Sequence, residues 1–141
     1  MNLVLDGSAA LAALLPDEKG GRAGVAIEET IAKADVLRVP AHWWVEVVNG
    51  VLMAEKRGRI TAFEIREVLS ITQDMKISVD GETPLRIPGD ALMLARVHKL
   101  TIYDAAYLEL AMRSGATLAT LDSALHKAAV VCGVRTVPEK I

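Results

Sequence analysis

The chain has 141 residues, 52% of them hydrophobic and only 4% aromatic, with 16 Lys and Arg against 18 Asp and Glu for a net charge of −2. That length suits one domain spanning residues 1–141, and the apolar content excludes disorder and leaves Ala, Val, Leu and Ile to fill a core. A single cysteine excludes a disulfide scaffold and a zinc ribbon, no apolar run approaches the ~20 residues that span a bilayer, and the mild acidity argues against a protein that coats nucleic acid by charge alone.

Leu3 to Leu5 is a short apolar run ending in Asp6-Gly7-Ser8, and it reads as a buried strand followed at once by a helix over 9–15, closed by Pro16. No basic segment precedes it, so no signal peptide is expected, and with a free thiol the chain is expected in the cytoplasm. A second helix fits 22–34, and a strand over 36–39 stops at Pro40. A long helical pattern runs over 41–57 to Gly58. Thr61 with Glu64 has the spacing of a capping box and opens a helix to about 74. Residues 77–79 read as a short strand, Pro88-Gly89-Asp90 opens a helix to about His98, and Thr101 opens another to Arg113, closed by Gly115. A strand over 116–120, a helix over 122–133 and a strand over 134–137 complete the chain. Short apolar strands alternating with helices predict an α/β fold whose mostly parallel sheet is covered on both faces. In such sheets ligands bind beyond the carboxyl ends of the strands.

Four carboxylates from four separate segments are candidates for that edge: Asp6, Glu46, Asp104 and Asp122. Three have a simpler explanation as helix caps, since Asp6 and Asp122 precede helices and Thr101 with Asp104 fits a capping box. Glu46 lies in a helix interior, in a thin polar stripe with His42 and Asn49 opposite Trp44, Val45, Val47, Val48, Val51 and Leu52. That pattern predicts a largely buried helix, and a buried carboxylate must be paired, protonated or bound to metal. Gathered in one cleft, four carboxylates repel one another, and a divalent ion relieves the repulsion. Oxygen ligands alone suit Mg2+ or Mn2+, and such ions serve phosphodiester hydrolysis. Dinucleotide, P-loop and nucleophile-elbow signatures are missing.

The ordered set Val4-Leu5-Asp6-Gly7-Ser8-Ala9, Val39-Pro40 leading into Glu46-Val47-Val48-Asn49-Gly50, Lys56 to Thr61, Leu100-Thr101-Ile102-Tyr103-Asp104-Ala105-Ala106-Tyr107 and Thr120-Leu121-Asp122 resembles the PIN-domain ribonucleases, specifically the VapC-type toxins of toxin–antitoxin pairs. The resemblance covers almost the whole chain. It implies a three-layer α/β/α fold with a short sheet and a Mg2+ or Mn2+ site formed by Asp6, Glu46, Asp104 and Asp122. Ser8 and Thr120 would support that site. It further implies an RNA substrate, a homodimer and a cognate VapB-like antitoxin, with no membrane role. Gly7 departs from the family's usual residue, and His42 and Trp43 have no family role.

The alternative is a non-catalytic PIN-like binding or scaffold module acting through an antitoxin complex. Lys56, Arg57 and Arg59 form the densest basic cluster, best explained as a solvated helix end. Trp43 and Trp44 are expected in a core or interface, Met53, Met75, Met93 and Met112 in the core, and Cys132 as an inert buried thiol. Tyr103 and Tyr107 flank Asp104, either lining the cleft or packing. With four acids at one site, the rest of the chain carries 14 acidic against 16 basic residues, so the net charge stays compatible with RNA.

Overall fold

A computed structural model describes all 141 residues. In chain order it forms β1 (Asn2–Leu5), α1 (Gly7–Leu14), α2 (Arg22–Lys33), β2 (Val36–Val39), α3 (Trp43–Lys56), α4 (Ala62–Asp74) and β3 (Ile77–Val79). There follow α5 (Thr83–Arg86), a π-helical turn (Ile87–Ala91), α6 (Leu92–His98), α7 (Ile102–Ser114), β4 (Thr117–Ala119), α8 (Ser123–Val131) and β5 (Thr136–Val137).

The five strands make one sheet in the order β3-β2-β1-β4-β5, and every pairing is parallel. Leu3 lies opposite Leu37 on one side and Thr117 on the other, so β1 is central, and Leu3, Val4 and Leu5 are fully buried. A strand walled in on both faces has no polar side to show, which explains its unbroken apolar run. On the helical layers α1 packs against α2, α3 and α4, while α7 packs against α5, α6 and α8. This is the three-layer α/β/α arrangement expected from the sequence. Parallel pairing also puts the carboxyl ends of all five strands at one edge.

Helix α7 is enclosed along its middle, with Ala105 to Ala111 all buried. Thr101 caps its start, accepting a hydrogen bond from the Asp104 amide at 3.2 Å. Gly115 ends it in the left-handed region at φ 62°, where a side chain would be strained. The expected capping box of α4 is present, with Thr61 and Glu64 each accepting the other's amide.

Several expectations are corrected. The helix expected to open at Pro88 begins at Thr83, because Pro84 and Pro88 occupy first-turn positions where a missing N–H costs nothing. Helix α3 is not largely buried. It buries Trp43, Val47, Val51 and Ala54, while Val45 is 72% exposed and Val48 and Leu52 also face outward. Arg59 is no free helix-end cation, since it pairs with Asp17 and Glu18 and ties down the turn after α1. Met93 and Met112 lie on the surface, whereas Met75 packs on the core. Cys132 is half-buried, with its Sγ 3.4 Å from Nε2 of His98. Trp43 is fully buried and meets Trp44 edge-on at 5.0 Å, as a core pair should.

Candidate active site

Asp6 is the first residue beyond β1. Its amide donates to the Ala119 carbonyl of β4 at 3.1 Å, which holds it between the two central strands. Its carboxylate is 3% exposed and takes three donors. Oδ1 accepts from the Ala9 amide at 2.8 Å, capping α1, and from Ser8 Oγ at 2.7 Å, while Oδ2 accepts from Thr120 Oγ1. Helix α1 therefore starts at Gly7, earlier than the residue-9 start expected from the sequence. Burial pushes the Asp6 carboxyl up to about 6 against the pull of these hydrogen bonds, and the nearby Asp104 adds to the rise.

Ser8 and Thr120 each tie Asp6 to the opposite strand end. Ser8 Oγ accepts the Leu121 amide at 2.9 Å, and Thr120 Oγ1 accepts the Asp122 amide at 3.1 Å. Asp122 caps α8, its Oδ1 accepting from the Leu125 amide at 2.8 Å, and it is exposed. Asp104 stands in the first turn of α7, half-buried, and its carboxyl is raised by desolvation and by the charges of Asp122 and Glu46. Both explanations weighed for these acids thus apply to Asp6 and Asp122, which cap helices and face the same edge.

Glu46 is half-buried rather than buried, with its side chain 36% exposed. A methyl placed on Gly7 would stand 3.4 Å from its Cβ, so the Glu46 stem lies over the backbone beside Asp6. Its Oε1 accepts from the Tyr107 hydroxyl at 2.6 Å and lies 3.5 Å from Nε2 of His42. Burial and then Glu46 push the Tyr107 hydroxyl strongly upward, with Asp6 and Asp104 adding to the rise, so it stays a donor. The two tyrosines flanking Asp104 part company: Tyr107 is 1% exposed and Tyr103 58%. His42 sits edge-on between their rings, at 5.6 Å from Tyr103 and 5.1 Å from Tyr107. Of the two roles open to Tyr107 it takes both, its ring packing and its hydroxyl reaching Glu46 across 61 positions, a partner that spacing does not reveal; His42 meets Glu46 one turn along the same polar stripe.

None of Asp6, Asp104 and Asp122 has an ion-pair partner, and Glu46 has only His42. No three His, Cys, Asp or Glu side chains converge as a preassembled metal cluster. Asp6, Asp122 and one oxygen of Glu46 instead accept from hydroxyl and amide donors. Their donor set still fits a hard divalent cation, being oxygen throughout and lacking a compensating positive charge. No helix is long and apolar enough to cross a membrane.

The PIN domain family model matches residues 3–131. Ribonuclease VapC3 of Pyrobaculum aerophilum is 31% identical over 125 residues, which are 89% of this chain and 92% of that protein. The crystal structure of PAE2754 from Pyrobaculum aerophilum matches with a TM-score of 0.66 over 98% of this chain and 90% of that one. At 21% identity that likeness concerns the fold alone.

Proposed function

The chain belongs to the PIN-domain family, in its VapC-type branch, and on that premise we propose that it is a Mg2+- or Mn2+-dependent endoribonuclease, the toxin of a toxin–antitoxin pair. The observation that carries this reading is that Asp104 feels the charges of Asp6, Glu46 and Asp122 along one sheet edge, with no Lys or Arg paired to any of the four. The likeness to Ribonuclease VapC3 supplies the substrate class.

Asp6, Asp104 and Asp122 would hold the cation, with Glu46 as a further ligand or as the group that orients the attacking water. The ion, when bound, supplies charge neutralisation at the phosphodiester and a lowered pKa for water. Ser8, Thr120 and the Ala9 amide fix the Asp6 carboxylate before any ion arrives, so less ordering remains for the moment of binding. Exposed Asp122 and half-exposed Glu46 leave the edge open to a long polymer.

The whole chain acts as one PIN domain in the cytoplasm, paired with a second copy and with a VapB-like antitoxin. Outward apolar side chains support both partnerships: Val45, Val48 and Leu52 on α3, Phe63 and Ile71 on α4, and Leu85, Met93 and Val97 on α5 and α6. The test is cleavage of RNA by the purified chain in Mn2+ or Mg2+, with a chelator control and the variant Asp6→Asn. Both chelator and variant should abolish cleavage. Undiminished cleavage by Asp6→Asn sinks the assignment, and RNA binding without cleavage by the native chain favours the scaffold alternative.

A further inference from the structure

Tyr107 lies three residues after Asp104, on the same helix, with its ring in the core. Phenylalanine would fill that volume equally well. The hydroxyl is therefore what needs explaining, because a buried phenol requires a partner. Its one partner is Oε1 of Glu46, at 2.6 Å, across the gap between α7 and α3. The bond is short and charge-assisted, of the stronger kind.

The other oxygen of Glu46 is treated differently. Oε1 faces Tyr107 and His42, while Oε2 makes no hydrogen bond within the chain. The stem between them is seated on Gly7, beside Asp6. Glu46 is thus held at its base by the α1 backbone and at one oxygen by α7, which leaves a single oxygen uncommitted.

We propose that Tyr107 is a positioning residue whose hydroxyl pins Oε1 of Glu46, so that Oε2 alone is left to take the cation or the attacking water. This rests on the nuclease reading given above and extends it to a residue that touches neither RNA nor ion. By the same bond α7 sets two of the four acids, Asp104 directly and Glu46 through Tyr107. Groups that orient a ligating carboxylate from behind commonly change metal affinity or turnover by about 10- to 100-fold when removed.

The experiment compares the native chain with Tyr107→Phe, Glu46→Gln and the double variant. Mn2+ affinity is measured by calorimetry, and kcat and KM on a short single-stranded RNA. Tyr107→Phe should keep its melting temperature and its KM. It should weaken Mn2+ binding or lower kcat by about tenfold. In the Glu46→Gln background it should do nothing further, because effects that pass through one residue are not additive. Native Mn2+ affinity and kcat in Tyr107→Phe overturn the inference and leave the nuclease reading standing, as does an equal loss with and without Glu46. A native chain that neither binds Mn2+ nor cleaves RNA removes the nuclease reading and this inference together.

Discussion

Helix α7 carries carboxylates at both ends, and the two are handled in opposite ways. Near its C-terminal end Glu109 is 4% exposed and pairs with Arg113 at 2.7 Å. The same guanidinium reaches Asp80, also at 2.7 Å, and Glu82 at 3.3 Å. Arg113 holds the Asp80 carboxyl below the usual carboxylate range, and Thr83 helps by donating to it at 2.8 Å. At the N-terminal end the Asp104 carboxyl is raised by desolvation and then by Asp122 and Glu46, which face it with no cation. Burial of acids is common to both regions. A built-in counterion makes the first a structural clasp joining the 80–83 loop to α7. Its omission leaves the second with like charges facing one another at a half-buried edge.

The largest effect that separates the two regions should come from Arg113→Met. Removing the guanidinium strands Asp80 and Glu109 as buried charges, and breaking such a network costs about 3 kcal/mol or more. Denaturant melts at pH 7 should show that loss. A loss under about 1 kcal/mol, the value of an exposed pair, would dissolve the contrast.

Next comes pH, with opposite signs at the two ends. The folded Asp6 carboxyl, pushed up to about 6 from an unfolded value of 3.8, is fully tolerated only when protonated. Its contribution is best below the unfolded value and is lost as pH rises through about 6, up to roughly 3 kcal/mol. Asp80 is depressed, so its contribution is present above its unfolded value and is lost as pH falls through its folded one. Stability curves between pH 3 and 7.5 should therefore decline from pH 4 to 6.5 in metal-free buffer. That decline should shrink in Asp6→Asn to the part that the raised Asp104 carboxyl contributes, and millimolar Mn2+ at pH 7 should raise the native melting temperature. A native curve that is flat over this range contradicts the assignment of the penalty to Asp6.

The smallest effect is expected from Thr120→Val, a change of similar shape that removes one donor to Asp6 and the acceptor for the Asp122 amide. It should cost about 1–2 kcal/mol and move the Asp6 titration, followed by carboxyl NMR, further upward. An unmoved titration would mean that Thr120 acts only as filler.

Much of the fold is legible in the sequence because local rules and global packing agree there. Leu3, Val4 and Leu5 can only be a strand walled on both faces, and Thr61 with Glu64 marks its helix start by hydrogen bonds three residues apart. The acids are legible as candidates because each follows a strand or opens a helix. Legibility ends where a contact joins distant segments. Arg59 beside Asp17, Cys132 beside His98 and Tyr107 on Glu46 leave no local trace. The stretch around Pro84 and Pro88 misleads for another reason, since Pro88 marks a helix start correctly while a second first-turn proline at Pro84 opens the helical run earlier. The outward Val45, Val48 and Leu52 are misread because helical periodicity finds apolar arcs without saying what they face.

The unbroken burial of Ala105 to Ala111 has one more consequence. A helix enclosed along two successive turns cannot pivot without repacking a close-packed interior. Asp104, one residue before that run, is thus held in place by it. Glu46 shares that support through the Tyr107 bond, whereas Asp122 stands at the exposed start of α8. Support along this edge is therefore unequal: Asp104 and Glu46 both lean on one enclosed helix, and Asp122 stands on a surface one.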